Sequence, residues 1–382
     1  MDKLVSTSGY GEYPSEKGAS SDHQHQITQH PSRSLRSYTG IACKILLLIH
    51  AFALLLWHVL PLLAPPRPIL EIDGVPSFVL KYAPLVWLDK SERYFPSDIY
   101  QQVKNTDPAI NFTKIENASH PLTLDNLDNL NRFGRHGFNV FLTSKLDVET
   151  SPFWLEGIAP NSDGKTSGAR SCAIIINDRG NCEVDAFYMY FYAYNLGNTV
   201  FLQELGDHIG DWEHNMIRFV KGEPTLMWFS QHGNGQAFKY GAVEKEGVRP
   251  YTYSARGSHA NYGIAGTHDH SIPNLNLPSG FLSDLTSRGF LWDPTLSAYF
   301  YNYSGNDGAF SAITGESPVG AMNFRGKWGD ERYPDSDPRQ RTFFGFKKYD
   351  NGPTGPWAKA LNRTKICPDN GLACIIRGSL GP

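Results

Sequence analysis

The hydrophobic positions of this chain fall mainly into short runs with the two-residue period of strands. Residues 184–194 (VDAFYMYFYAY) are apolar on both alternating faces, which predicts a central strand held between two layers. Residues 215–220 (NMIRFV), 226–232, 237–240 and 249–253 read as further strands at a spacing of roughly 10 residues, with Gly-rich turns such as Gly233-Asn234-Gly235. No alternation of strand and long helix runs through the chain, so the pattern predicts an antiparallel β-sandwich. Earlier, Tyr82-Ala83-Pro84-Leu85-Val86-Trp87-Leu88 is an apolar strand, residues 91–99 make a turn and a short helix, and 104–170 read as an irregular, loop-rich insertion.

One stretch has a different period. Residues 45–63 read ILLLIHAFALLLWHVLPLL, without Asp, Glu, Lys or Arg, and about 20 such residues span a bilayer. Only His50 and His58 interrupt it, and both are tolerable when neutral. Arg33, Arg36 and Lys44 precede it, whereas Arg67 follows together with Glu71 and Asp73. The positive-inside rule then places the N-terminus in the cytosol. The expected organisation is a disordered Ser/His/Gln-rich tail over 1–40, a transmembrane signal-anchor helix over 41–64, a Pro-rich stalk over 65–78 and a lumenal β-sandwich over 79–382.

Composition agrees with a β-rich domain: 13% of the 382 residues are aromatic, with 36 Gly and 25 Pro. A net charge of −3 gives no sign of nucleic-acid binding. The sequons at Asn111, Asn117, Asn302 and Asn362 all follow the apolar stretch, as glycosylation in a lumen requires. Cys43 borders the anchor, and the other cysteines form two close pairs, Cys172 with Cys182 and Cys367 with Cys374, read as two short-loop disulfides. Neither spacing is the CxxC of a zinc site.

The candidate chemistry lies in Gly206-Asp207-His208-Ile209-Gly210-Asp211-Trp212-Glu213-His214. In an extended chain Asp211, Glu213, Asn215, Ile217 and Phe219 share one side, so two carboxylates stand at the mouth of an apolar face. Ionised carboxylates there need a cation or donors. A turn at Gly210 brings His208 towards them, which makes His208, Asp211 and Glu213, with Asp207, the candidate ligands of a divalent cation (Ca, Mg, Mn or Zn). The competing arrangement pairs the carboxylates with Arg218 or Arg256. His232 and His259 end strands nearby and are candidate ligands or general bases. Ser258 beside His259 makes no dyad, since adjacent side chains of an extended chain point apart. The chain has no phosphate-cradling loop, GxSxG elbow or HExxH motif.

Several segments occur in a fixed order: Tyr82 to Leu88, Arg93-Tyr94-Phe95-Pro96-Ser97-Asp98, the 206–214 stretch, Ala255-Arg256-Gly257-Ser258-His259-Ala260, Trp328-Gly329-Asp330, and Gly352-Pro353-Thr354-Gly355-Pro356-Trp357-Ala358-Lys359. Together they resemble the fungal vacuolar protein sorting-associated protein 62 family over residues 78–375, which implies a role in delivery to the vacuole and no established chemistry. The H-x-x-D-W-E spacing of His208, Asp211, Trp212 and Glu213 is also similar to the motif of the necrosis-inducing cytolysins, β-sandwiches that bind a divalent cation and dock on sphingolipid sugars. Gly210 stands where that motif has a second His. The resulting expectation is a single-pass type II membrane protein of the secretory or vacuolar route whose lumenal domain binds a glycan or lipid head group, with a metal-dependent hydrolase as the alternative.

Overall fold

The structure, a computed structural model, describes the backbone of residues 35–63, 67–272, 275–277, 280 and 282–381; side chains at 35–39, 56–63 and 272–277 are not described. The chain divides into two units, 1–66 and 67–382.

In the first unit a helix, α1, covers Leu35–Leu63, starting earlier than the expected anchor. Its described side chains, residues 40–55, are all exposed. Among the described residues no helix is long and apolar enough to cross a membrane. Most of the expected tail and the C-terminal part of the expected anchor lie outside the described residues.

The second unit is built mainly from strands: β1 (Leu85–Leu88), β2 (Cys172–Gly180), β3 (Glu183–Asn195), β4 (His208–Val220), β5 (Glu223–Gln231), β6 (Asn234–Lys239), β7 (Arg249–Ser254), β8 (Gly266–Ile272), β9 (Ser283–Thr286), β10 (Phe290–Trp292), β11 (Ala298–Tyr303), β12 (Phe310–Ala312) and β13 (Ile376–Arg377). Eight form one sheet in the order β12-β11-β2-β3-β4-β5-β6-β13. A second sheet is built on β7, β1 and β10. The sheets are mixed rather than antiparallel as expected, because β11 runs parallel to β2, β13 parallel to β6 and β1 parallel to β7. Each parallel neighbour is brought in from a distant part of the chain, which short hairpin turns cannot do.

The sheet centre is buried on both sides, as the unbroken apolar run of β3 requires. Phe187, Met189 and Phe191 enter one core together with Trp212, Leu130, Met322 and Trp328. There the cover is made of short helices and turns from 99–142 and 319–367. Tyr188, Tyr190 and Tyr192 face the other core, where Val86, Leu88 and Trp292 bring in the second sheet. Phenol groups buried there need partners, and each has one. Tyr188 donates to the Val79 carbonyl at 2.6 Å, Tyr190 to Asn215 at 2.8 Å and Tyr194 to Asp207 at 3.1 Å, and Tyr192 bonds Ser254 at 3.3 Å.

The Cys367–Cys374 disulfide is present. The expected Cys172–Cys182 bridge is not, and both thiols are free. In the β2–β3 hairpin Cys172 pairs with Tyr190 while Cys182 sits in the turn beyond Gly180, so the two lie at opposite ends of the ladder, far beyond the roughly 6 Å Cα separation a disulfide spans. The sequon residues Asn111, Asn117, Asn302 and Asn362 are exposed.

Candidate functional site

The 206–214 stretch runs into β4, one of the two longest strands, locked between β3 and β5. Its alternation turns Asp211, Glu213 and Asn215 towards the second sheet. Glu213 lies opposite Tyr190 and Asp211 opposite Tyr192. Asn215 accepts from the hydroxyls of Tyr190 and Thr252 at 2.8 and 2.7 Å. Gly210 has φ of +70°, and a Cβ there would stand 1.9 Å from the Trp328 carbonyl oxygen. No larger residue fits, which accounts for glycine where the cytolysin motif has a histidine.

Among the described residues the four expected ligands are not placed as one metal-ligand group. Asp207 accepts from Tyr194 at 3.1 Å and from the Gly197 N–H at 2.8 Å, and burial raises its pKa to about 6. His208 Nδ1 bonds the Gly210 carbonyl at 2.7 Å, and burial lowers its pKa. Glu213 accepts from Ser230; burial, then the Asp211 charge, raises its pKa to about 7. Asp211 lies 3.0 Å from His259 Nδ1, and His259 Nε2 lies 2.8 Å from the Tyr94 carbonyl. Arg218 does not serve the motif: it pairs with buried Asp185 at 2.7 and 2.8 Å. Arg256 is exposed.

The Asp211–His259 pair is closed off, with side chains 7% and 0% exposed. The Tyr192 ring stacks on the imidazole at 3.7 Å and 4°. Burial disfavours the charged ring, but the Asp211 hydrogen bond and then the charge of Glu92 outweigh it and raise its pKa. Both nitrogens face acceptors, the Asp211 carboxylate and the Tyr94 carbonyl, a setting that favours the doubly protonated ring. Glu92, missed in the sequence, completes this centre, accepting from the N–H groups of Tyr94 and Gly257 at 2.8 and 2.9 Å.

A second centre forms around His232. Its Nε2 lies 2.9 Å from Asp284 Oδ2, and His270 Nε2 lies 3.9 Å from the same oxygen. The two rings are 4.2 Å apart. Asp284 also accepts from Tyr262 and Ser258, both at 2.7 Å. Burial would raise its pKa, yet the charge of His232 holds it well below the usual carboxylate range. Burial acts against a charged His232, while Asp284 raises it to about 9; burial, then His232, lowers His270. Among the described residues these three are the only His, Cys, Asp or Glu side chains placed as a metal-ligand group. His232 was a sequence candidate; His270 and Asp284 were not. The alternation His268-Asp269-His270 in β8 was the available signal for His270, whereas Asp284, in an ordinary strand, had none.

Fold and site define a mixed-sheet β-domain with two adjacent histidine–carboxylate centres at one end of its longest strands. The family model described as vacuolar protein sorting-associated protein 62 matches residues 192–286, the span that holds Asp211, His232, His259, His270 and Asp284. The "Putative vacuolar protein sorting-associated protein TDA6" of Saccharomyces cerevisiae is 37% identical over 322 residues, 77% of this chain and 68% of that one. "Vacuolar protein sorting-associated protein 62" of the same yeast is 33% identical over 325 residues, with the same coverages of 77% and 68%. The chain belongs to the vacuolar protein sorting-associated protein 62 family. Among solved structures, Necrosis and Ethylene inducing Protein 2 from the causal agent of cocoa's Witches Broom disease aligns with a TM-score of 0.25 at 12% identity, over 52% of this chain and 74% of that one. The non-toxic HaNLP3 protein gives 0.26 at 12%, over 67% and 84%. Scores this low carry no argument about fold or function.

Proposed function

We propose that this chain is a single-pass membrane protein of the secretory and vacuolar route, with a cytosolic N-terminus, and that its lumenal β-domain binds a glycan or lipid head group during delivery to the vacuole. The observation that carries the route is family membership, since both yeast relatives are named for vacuolar protein sorting. The charge pattern around residues 45–63 and the four exposed sequons support the topology. His259 is unsuited to the general-base role of a hydrolase. A general base needs a free lone pair, and His259 has both nitrogens engaged, one by Asp211 and the other by the Tyr94 carbonyl.

The test is topology in intact cells of the full chain, tagged at each end. Glycosidase-sensitive mass that falls in steps as Asn111, Asn117, Asn302 and Asn362 are each changed to Gln, with a protease-accessible N-terminal tag and a protected C-terminal tag in isolated vesicles, is expected. An unglycosylated chain with both tags digested would overturn the reading.

A further inference from the structure

We infer that His232, His270 and Asp284 form a binding site for a zinc-class divalent ion, a site that stands on its own geometry whether or not the domain binds a glycan or lipid. The three ligands come from three separate segments: the turn after β5, strand β8 and strand β9. Their ligand atoms nevertheless all lie within 4.8 Å of one another. Metal–ligand bonds of about 2.0–2.2 Å put the donors of a tetrahedral ion roughly 3.4 Å apart. The two separations to Asp284 Oδ2, 2.9 and 3.9 Å, bracket that value.

The surroundings resemble those of a ligated carboxylate. Asp284 is 1% exposed and is oriented by Tyr262 on Oδ2 and Ser258 on Oδ1, each at 2.7 Å. Hydrogen-bonded supports of this kind fix first-sphere ligands in metal sites. Asn198 holds the other flank, its amide 3.1 Å from His270 Nε2 and 3.4 Å from Asp284 Oδ1. The imidazoles are the open side: the His232 and His270 side chains are 35% and 24% exposed, which leaves an ion accessible from solvent and a fourth position for water or a ligand.

The donor set selects the ion. Two imidazole nitrogens and one carboxylate suit zinc, cobalt or manganese, whereas calcium takes six to eight oxygens and magnesium prefers an oxygen octahedron. A purely structural role accounts for Asp284 as a buried acceptor of four donors. A metal role accounts as well for a second imidazole placed 4.2 Å from the first and turned to the same carboxylate oxygen.

The experiment uses the full chain in detergent, stripped with chelator and titrated with Zn2+ by calorimetry, and with Co2+ by visible absorption. Wild type is compared with H232A and H270A, both at partly exposed positions. Expected are a single equivalent of zinc, the intense visible bands of tetrahedral cobalt, a melting temperature raised by zinc, and an affinity weakened about tenfold or more in either variant. Circular dichroism of the metal-free variants checks that they fold; if one does not, the other carries the comparison. The inference is overturned if wild type takes up no zinc. It is equally overturned if a folded H232A or H270A binds zinc as tightly as wild type does, which would assign the ion to other histidines, such as His23, His25 and His30 of the N-terminal sequence.

Discussion

Replacing Glu213 by Gln should stabilise the protein at alkaline pH and leave its stability in acid nearly unchanged. Glu213 is buried beside Asp211, and among the described residues its hydrogen-bond partner is Ser230, which donates to it. Its ordinary pKa of 4.5 rises to about 7 in the folded chain. Because the folded value lies above the unfolded one, its contribution is fully present below pH 4.5 and is lost as the pH rises through 7. Each pH unit between those values removes about 1.4 kcal/mol, so by pH 8 the ionised side chain costs the folded state roughly 3 kcal/mol. Glutamine has nearly the same shape, still accepts from Ser230 and carries no charge. Urea or thermal unfolding of the full chain at pH 4.5 and pH 8 should therefore show E213Q equal to wild type in acid and about 3 kcal/mol more stable in base. Equal stabilities at pH 8, or a less stable E213Q there, would refute the assignment of Glu213 as an unpaired buried carboxylate. The second outcome would instead show that its charge is held by a cation.

Three other perturbations test separate parts of the structure. D185N leaves the Arg218 guanidinium buried without its bidentate partner, and should destabilise by about 3–5 kcal/mol in denaturant titrations. G210A forces a Cβ onto the Trp328 carbonyl oxygen at a positive φ; a loss of roughly 3 kcal/mol is expected by thermal melting, and an unchanged melt would count against the close strand contact. Mass spectrometry after alkylation of the native, unreduced chain should find Cys367 and Cys374 linked, exposed Cys182 labelled, and buried Cys172 labelled only after unfolding. C374S should then lower stability by about 2 kcal/mol, as suits a short loop.

The strand pattern was legible wherever local alternation decided the outcome. β3 and β4 are where the apolar runs put them, and Asp211, Glu213 and Asn215 do share a face. The parallel pairings escaped because Ala298–Tyr303 beside Cys172, and Ile376–Arg377 beside Ala237, are joined through long connections that leave no turn signal. Proximity in sequence also misled. Cys172 and Cys182 are ten positions apart, but a straight hairpin carries them to opposite ends. Asp207, His208, Asp211 and Glu213 are neighbours in sequence, yet Tyr194, the Gly210 carbonyl, His259 and Ser230 respectively bond them, and among the described residues they are not placed as one metal-ligand group. The group that does converge joins residues from three segments, and only the folded topology brings those together.

The tyrosines of β3 act as a proofreading device for assembly. Tyr188, Tyr190, Tyr192 and Tyr194 each reach a different partner: the Val79 carbonyl, a neighbouring strand, the second sheet and Asp207 just before β4. A slip of β3 by one residue would turn all four phenols to the opposite face, away from these partners, at about 1–3 kcal/mol for each hydroxyl left unpaired. The aromatic run of β3 thus carries four independent markers of the correct alignment.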